Sequence, residues 1–322
     1  IQAGGSGGGG VIKDGEGTLI LSGTSANTYT GPTTVNAGLL TAGKANALGS
    51  DSSYHTLTVN GGTLSIGNYN QSVRGVTVAG GTITGDSGVL TGTSYALQSG
   101  TVNAILGGTA ALTKTTSGTA TLGAANTYSG NTTISAGTLA LGASGSFANS
   151  PNIILNGGTL DISAVSGFSL GASQTLKGSG SIVGAVTANG TVSPGSSIGT
   201  LNLNSSLTLA STATTIMEIN HSASPQNADL ISAESITLGG ALTVTDIGSA
   251  GFTAYEEFNL FDGTLTGGFS SWNLPTLSGG YWDATGLQSG GNGILVFVPE
   301  PSTFACFGLG LAALLIARRR KG

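Results

Sequence analysis

Charge is scarce in this 322-residue chain, and cysteine and histidine are nearly absent from it. Charged residues make up 7% of the sequence, against roughly 25% in an ordinary soluble domain. Cys306 is the single cysteine, so neither an intramolecular disulfide nor a Cys-x-x-Cys metal site can form. The histidines are His55 and His221, and neither stands at a spacing typical of metal ligands. We interpret each as a surface or turn residue.

Basic residues are missing from Gly178 to Ala317, a stretch that contains nine acidic residues. We interpret Asp229, Glu234 and Asp246 in that stretch as part of a solvated acidic face and not as calcium ligands. Four cations then close the chain, namely Arg318, Arg319, Arg320 and Lys321. The rest of the chain has five basic against fourteen acidic residues. Because phosphate binding needs a basic surface, we expect no nucleic-acid partner.

Motifs of common enzymes are also missing. No His-Glu-x-x-His, Gly-x-Ser-x-Gly or phosphate-loop pattern occurs. Glycoside hydrolysis needs two carboxylates that face one groove, but Glu256 and Glu257 are adjacent and would face opposite ways on a strand. We therefore predict that the chain is not an enzyme and has no catalytic residues, metal or cofactor. A polysaccharide lyase or glycoside hydrolase stays the least favoured alternative, by analogy of fold alone.

Glycine is abundant, with 57 residues, and it recurs with a period. The segment ANTYTGPTTVNAG at 26–38 returns as ANTYSGNTTISAG at 125–137, with nine of thirteen positions identical. Gly-Thr pairs, with one Gly-Leu variant, recur every 18 to 24 residues between Gly17 and Gly158. The pairs tend to precede a short run such as TLSI, in which apolar and polar residues alternate. Such alternation indicates a β-strand.

A short strand with turns that repeats about every 20 residues is typical of a solenoid. We therefore predict an all-β fold, a right-handed parallel β-helix in which Leu64, Ile83, Val102 and Leu139 point into one core. The alternative is an antiparallel β-sandwich or barrel made of hairpins. Most of the larger aromatic residues follow residue 251, which predicts a β-rich C-terminal cap over the open end of the solenoid.

The expected organisation has four parts. Residues 1–10 form a glycine-rich linker, 11–205 the solenoid repeats, 206–298 the cap, and 299–322 a tail. The tail contains an apolar run at 304–317, which would be about 21 Å long as a helix, against about 30 Å for the hydrocarbon core of a bilayer. Because the sequence begins with Ile1 and no basic-then-apolar leader, we expect a fragment or processed chain whose export signal is not in view.

The repeat units resemble a known family. The segments GTLILSGTSANTYTGPTTVNAGLL and GTATLGAANTYSGNTTISAGTLAL are similar to the autotransporter-associated β-strand repeat of exported bacterial passenger proteins. The segment GSIVGAVTANGTVSPGSSIGTLNL resembles the one that commonly closes such arrays. This resemblance implies a β-solenoid passenger and names no ligand. Tyr29 and Tyr128 occupy equivalent places in the two units, where they either stack on sugar rings or cap a corner by packing.

The C-terminal tail resembles the PEP-CTERM protein-sorting tail, because a Pro-Glu-Pro motif, an apolar run and a basic cluster follow in order. The resemblance implies that a membrane-embedded sorting protease of the exosortase type reads Pro299, Glu300 and Pro301. The apolar run then predicts one C-terminal transmembrane helix. Residues 318–321 would keep the end of this helix at the cytoplasmic side of the inner membrane, because the positive-inside rule places cations there. A permanent membrane anchor is the alternative with the same topology.

Together these observations predict a non-enzymatic exported protein. We expect an inner-membrane intermediate, and then a place in the cell envelope, on the cell surface or in the extracellular matrix of a Gram-negative-type bacterium. Its role would be structural or adhesive. The alternative is a carbohydrate-binding adhesin whose Ser, Thr and Asn ladders contact extracellular polysaccharide.

Overall fold

The structure is a computed structural model, which describes residues 9–25, 27–49, 55–221, 227–249 and 251–300. These residues form short strands joined by tight turns and contain no helix. The strands up to residue 141 are β1 (Val11–Lys13), β2 (Thr18–Leu21), β3 (Thr33–Val35), β4 (Leu39–Ala42), β5 (Thr56–Val59), β6 (Thr63–Ser65), β7 (Gln71–Ser72), β8 (Gly75–Val78), β9 (Thr82–Thr84), β10 (Val89–Thr91), β11 (Tyr95–Leu97), β12 (Gly100–Val102), β13 (Ile105–Gly107), β14 (Leu112–Lys114), β15 (Thr119–Leu122), β16 (Thr132–Ile134) and β17 (Thr138–Leu141).

The strands become longer after residue 150. They are β18 (Asn152–Asp161), β19 (Ser169–Leu170), β20 (Thr175–Val183), β21 (Val186–Ala188), β22 (Thr191–Pro194), β23 (Thr200–Leu203), β24 (Ser206–Leu209), β25 (Thr214–Ile219), β26 (Leu230–Leu238), β27 (Ala241–Asp246), β28 (Glu257–Asn259), β29 (Phe261–Gly267), β30 (Ser271–Asn273), β31 (Gly280–Asp283) and β32 (Ile294–Pro299).

Parallel pairing between successive coils builds the molecule. Over the described residues, 26 strands join into one sheet, and every strand pair in that sheet is parallel. Face A contains β2, β4, β6, β9, β12, β15 and β17, and face B contains β1, β3, β5, β8, β11, β14 and β16. The strand β18 joins the two faces, because its first half pairs with β16 and its second half with β17. The parallel solenoid is confirmed and the antiparallel alternative is wrong; the right hand of the coil stays a prediction.

The core is made of columns of apolar side chains that run along the solenoid. Leu64 pairs with Ile83, and Ile83 pairs with Val102, so these residues stack directly. Leu139 belongs to the neighbouring column, since it pairs with Ala120 and Leu160. The four predicted core residues are all at most 1% exposed and belong to one apolar cluster. Their shared burial is confirmed, although they lie in two adjacent columns of that core.

Parallel pairing continues beyond residue 205. On one side β23 pairs with β26 and β26 with β29, while on the other β25 pairs with β27 and β27 with β30. A different sheet then appears, in which β32 lies between β28 and β31 and pairs with both in the antiparallel sense. Four aromatic rings pack beneath this sheet with centroids 5.1 to 6.2 Å apart, namely Phe252, Phe258, Trp282 and Phe297.

The tail that follows the sorting motif begins at the end of the described chain. Pro301 and residues 318–321 lie outside the described residues, as does the predicted transmembrane helix. Among the residues that are described, no helix has the length and apolar character of a membrane span. The helix therefore stays a prediction.

The apolar columns make a direct prediction about stability. Leu139→Ala should lower the free energy of unfolding by about 2–5 kcal/mol, because it leaves a cavity in a fully buried column. The outward-facing Thr121→Ala on the neighbouring strand is the matched control, with an expected change within about 0.5 kcal/mol. Urea denaturation followed by circular dichroism measures both. A loss below about 0.5 kcal/mol for Leu139→Ala would contradict its place in the core.

Candidate functional site

The outer surface of face A carries a column of threonines. Thr63 pairs with Thr82, Thr82 with Thr101, and Thr101 with Thr121. Their side chains are half-buried and alternate with inward apolar residues along each strand. Since paired strands lie about 4.8 Å apart, the four residues place hydroxyl groups at a regular spacing. We call Thr63, Thr82, Thr101 and Thr121 the face A threonine column.

Face B carries a similar column that is interrupted. Thr34 pairs with Thr58 and Thr58 with Thr77, but Thr77 pairs with Ala96 before Thr113 resumes the column. Each threonine hydroxyl both donates and accepts hydrogen bonds. Extended polar ladders of this kind can contact the hydroxyl groups of a polysaccharide without a deep pocket.

The two equivalent tyrosines are buried and not exposed. Tyr29 and Tyr128 are both 0% exposed. The Tyr29 hydroxyl lies 2.8 Å from the Thr33 hydroxyl, and the Tyr128 hydroxyl lies 2.7 Å from the Thr132 hydroxyl. Burial raises the pKa of Tyr29 to about 12, against a smaller lowering by its hydrogen bond to Thr33. A sugar cannot stack on either tyrosine ring, because both rings are buried. The glycan-stacking interpretation is therefore wrong, and the packing interpretation holds.

The tyrosines anchor polar networks that reach the next coil. Thr33 also lies 3.0 Å from Nε2 of His55, and Thr132 lies 3.0 Å from the hydroxyl of Ser150. His55 is 0% exposed, and burial lowers its pKa from the usual value. The side chain of His221 is also buried, at 1% exposure, and its Nδ1 lies 3.3 Å from Asp246. Neither side chain is therefore on the surface, although His221 does lie in a turn.

Two buried lysines hold equivalent turns, a feature that the sequence analysis missed. Nζ of Lys13 donates to the carbonyl of Ala37 at 3.1 Å, and Nζ of Lys114 donates to that of Ala136 at 3.1 Å. Each also donates to a carbonyl in its own turn. Burial lowers the pKa of Lys114. The signal was present in the repeat alignment, because the lysines precede equivalent Gly-Leu and Gly-Thr corners by 25 and 23 residues.

The acidic residues are separated and serve local roles. The Asp161 carboxylate accepts hydrogen bonds from the Ser163 amide and hydroxyl, and the Glu256 carboxylate accepts them from Thr253. In the described part of the chain no group of three or more His, Cys, Asp and Glu residues could hold a metal ion. These contacts stabilise turns.

A small surface pocket lies beside β19. It has a volume of about 140 Å³ and its lining includes Phe147, Phe168 and Gln174. The Gln174 amide is fully engaged, since its nitrogen donates to the carbonyls of Phe147 and Ser150 and its oxygen accepts from the Gly171 amide. The pocket therefore presents mainly apolar surface and no ionisable side chain.

Asp229 is buried, in contrast to its expected place on a solvated face. It is 1% exposed, and its two carboxylate oxygens accept the Gly199 and Glu218 amides, each at 2.8 Å. Burial raises its pKa to about 7, and the two amide hydrogen bonds oppose this rise. The solvated interpretation of Asp229 is wrong, because the residue ties the Gly195–Gly199 turn to β25.

The last described strand leads directly into the sorting motif. Pro299 ends β32 and pairs with Gly280 of β31. The Glu300 amide donates to the Gly279 carbonyl at 3.0 Å, while the Glu300 side chain is exposed. Two of the three predicted motif residues therefore lie at the C-terminal end of β32, the central strand of the antiparallel sheet, and Pro301 lies beyond the described residues.

The fold and these features define a parallel β-solenoid with polar outer columns and a sorting motif at its last strand. Residues 11–42 and 112–141 match the passenger-associated-transport-repeat, and residues 297–321 match the PEP-CTERM protein-sorting motif. The chain thus carries autotransporter-type passenger repeats and a PEP-CTERM motif. It is also 36% identical over 194 residues to the adhesin BmaC autotransporter of Brucella suis biovar 1 (strain 1330). That alignment covers 56% of this chain and 5% of the adhesin.

The raised pKa of Asp229 predicts a dependence of stability on pH. Its folded value of about 7 lies above the ordinary value of 3.8, so the folded state binds the proton more tightly than the unfolded state. The resulting stabilisation is fully present below about pH 4 and is lost as the pH rises to about 7. Urea midpoints of the wild type and of Asp229→Asn, measured across this range, isolate the effect. If the urea midpoint changed with pH equally in the two proteins, the contribution of Asp229 to this pH dependence would be contradicted.

Proposed function

We propose that this chain is an exported, non-enzymatic surface protein of a Gram-negative-type bacterium, with a structural or adhesive role. The regular outer face of the solenoid carries this proposal, because it offers extended contact area instead of a catalytic cleft. The passenger repeats and the similarity to an adhesin support it. The buried tyrosines and lysines make hydrogen bonds within the solenoid. The outward-facing threonine columns are therefore the groups that can contact a partner.

The PEP-CTERM match supports sorting through the tail. The proposed partner is a membrane-embedded exosortase-type protease that reads Pro299, Glu300 and Pro301. The chain would first be held in the inner membrane by residues 304–317, with residues 318–321 at the cytoplasmic side. Cleavage would release the body or pass it to a surface attachment.

A second function is a carbohydrate-binding adhesin, and the face A threonine column favours it. Its four paired threonines are uninterrupted, whereas the face B column contains Ala96. Hydroxyl groups repeated on successive coils match a ligand that itself repeats hydroxyl groups along its length. Extracellular polysaccharide is the ligand class with that chemistry.

The face A threonine column can be tested directly. Thr82→Val with Thr101→Val should abolish retention on an immobilised polysaccharide that binds the wild type in a glycan screen, because the donors and acceptors are lost while the strand shape is kept. The control is Thr58→Val with Thr77→Val on face B, which should bind normally. Retention of full binding by the face A variant, with its urea midpoint unchanged, would contradict a glycan-binding face A.

The sorting step can be tested in a host that carries the protease. Glu300→Ala should leave an uncut precursor in the membrane fraction, because the motif is no longer read. Glu257→Ala is the control, since this exposed acid lies on the same sheet outside the motif. Replacing residues 318–321 by serine should instead let full-length chain cross the membrane, because cytoplasmic cations resist translocation.

Membrane fractionation with intact-mass analysis distinguishes these outcomes. Wild-type chain found only at full length, membrane-bound and with residues 318–321 attached, would refute processing. The permanent-anchor alternative would then stand.

A further inference from the structure

Two exposed tyrosines lie near the point where the chain leaves the cap. Tyr281 of β31 is 57% exposed and pairs with Val298, directly before the sorting motif. Tyr255 is 67% exposed and precedes by two residues the strand whose first residue, Glu257, pairs with Val296. The Phe297 amide donates to the Glu256 carbonyl. The two tyrosines therefore belong to the segments on either side of β32, close to its C-terminal end.

These tyrosines lie on segments that pack against aromatic side chains. Beneath the sheet, Phe297 contacts Trp282 and Phe252, with ring centroids 6.2 and 5.3 Å away. The Trp282 indole also donates to the Pro275 carbonyl at 2.8 Å. Elsewhere in the described chain, the large aromatic residues with comparable exposure are Tyr69 and Trp272. Exposed aromatic surface is thus concentrated in the cap.

The length of the tail fixes how far the cap can stand from a membrane. Three residues separate Glu300 from the apolar run that begins at Phe304. Fully extended, this connection spans at most about 14 Å. One headgroup layer is about 5–8 Å thick. When the apolar run occupies the hydrocarbon core, the end of β32 must therefore lie at or just above the headgroups.

The charges near this strand end select the type of headgroup. Glu257 and Asp283 both pair with Val296 of β32, Glu300 follows its last residue, and no Lys or Arg occurs between Gly178 and Ala317. Anionic lipids attract basic segments, so this surface is unsuited to them. An ammonium group on a zwitterionic lipid complements the carboxylates.

We propose that Tyr255 and Tyr281 form a membrane-facing rim that rests among the ammonium-bearing headgroups of a zwitterionic bilayer while the tail is inserted. Tyrosine suits this interface, because its ring is apolar and its hydroxyl stays hydrated. The rim keeps the solenoid pointing away from the bilayer and holds the sorting motif at the level of the lipid headgroups. This inference rests on the proposed insertion of the tail.

Site-directed spin labelling of the full chain in phosphatidylethanolamine-containing vesicles tests the rim. Ser278→Cys, in a Cys306→Ser background, places a label one residue before Gly279, whose carbonyl holds Glu300, and keeps both tyrosines. Ser87→Cys, also exposed, is the matched control on the solenoid body. We expect the collision rate with an aqueous nickel chelate to be several-fold lower at residue 278 than at residue 87.

Two further changes assign the effect to the proposed chemistry. Tyr255→Asn with Tyr281→Thr should raise the collision rate at residue 278 to that at residue 87, with the tryptophan emission of the cap unchanged. Replacing phosphatidylethanolamine by phosphatidylglycerol should do the same, because the carboxylates are then repelled. A label at residue 278 that is as accessible as at residue 87, or that does not respond to the tyrosine variants, would overturn the rim.

A label on the native Cys306 separates this inference from the proposed function. Protection of residue 306 from the chelate together with exposure of residue 278 overturns the rim and leaves membrane sorting intact. Exposure of residue 306 to the chelate overturns both, because the tail is then not in the bilayer.

Discussion

Parallel backbone hydrogen bonding between coils is the constraint on which the rest of the structure depends. Each coil must place its strands in register with the coils before and after it, about 4.8 Å away. The corners must therefore be compact. At Gly38 and Gly137 the backbone has φ values of 65° and 61°, and an added Cβ would collide with the carbonyl oxygens of Gly15 and Thr116 on the preceding coil. The repeated glycine is thus required both by its conformation and by the backbone of the preceding coil that packs against it.

The same stacking explains why polar side chains lie inside an apolar solenoid. Tight corners leave backbone carbonyls in the interior, and a buried carbonyl without a donor costs stability. Lys13 and Lys114 supply donors at two such corners. The Tyr-Thr pairs at residues 29–33 and 128–132 satisfy one another across a corner. Because these contacts join residues of neighbouring corners and coils, they help to hold the register between coils.

The sequence predicted which strand residues face inward, because this follows from alternation along the strand. It did not predict the hydrogen bonds that long side chains make to a neighbouring coil. The TLSI pattern identifies Leu64 as an inward residue because strand side chains alternate between faces. Alternation does not show that Lys13 bends its ammonium group to a turn carbonyl on the next coil. The offset of Leu139 from the column of Val102 was also hidden, because it depends on the number of residues in each corner. Tyr29 fits the same explanation, since its ring and hydroxyl fill a corner that only the assembled coils create.

The C-terminal strands depart from parallel stacking, and we expect them to protect the open end that such stacking creates. A parallel coil always leaves an open edge that can pair with another chain. Here the chain changes direction, and β32 inserts between β28 and β31 in an antiparallel sheet. The local sequence pattern indicates a strand but not its direction, so this reversal was not predictable beyond the expectation of a cap. Because β32 is the central strand and ends at Pro299, this antiparallel sheet holds the first residue of the sorting motif. The sheet therefore determines where the sorting motif begins relative to the solenoid.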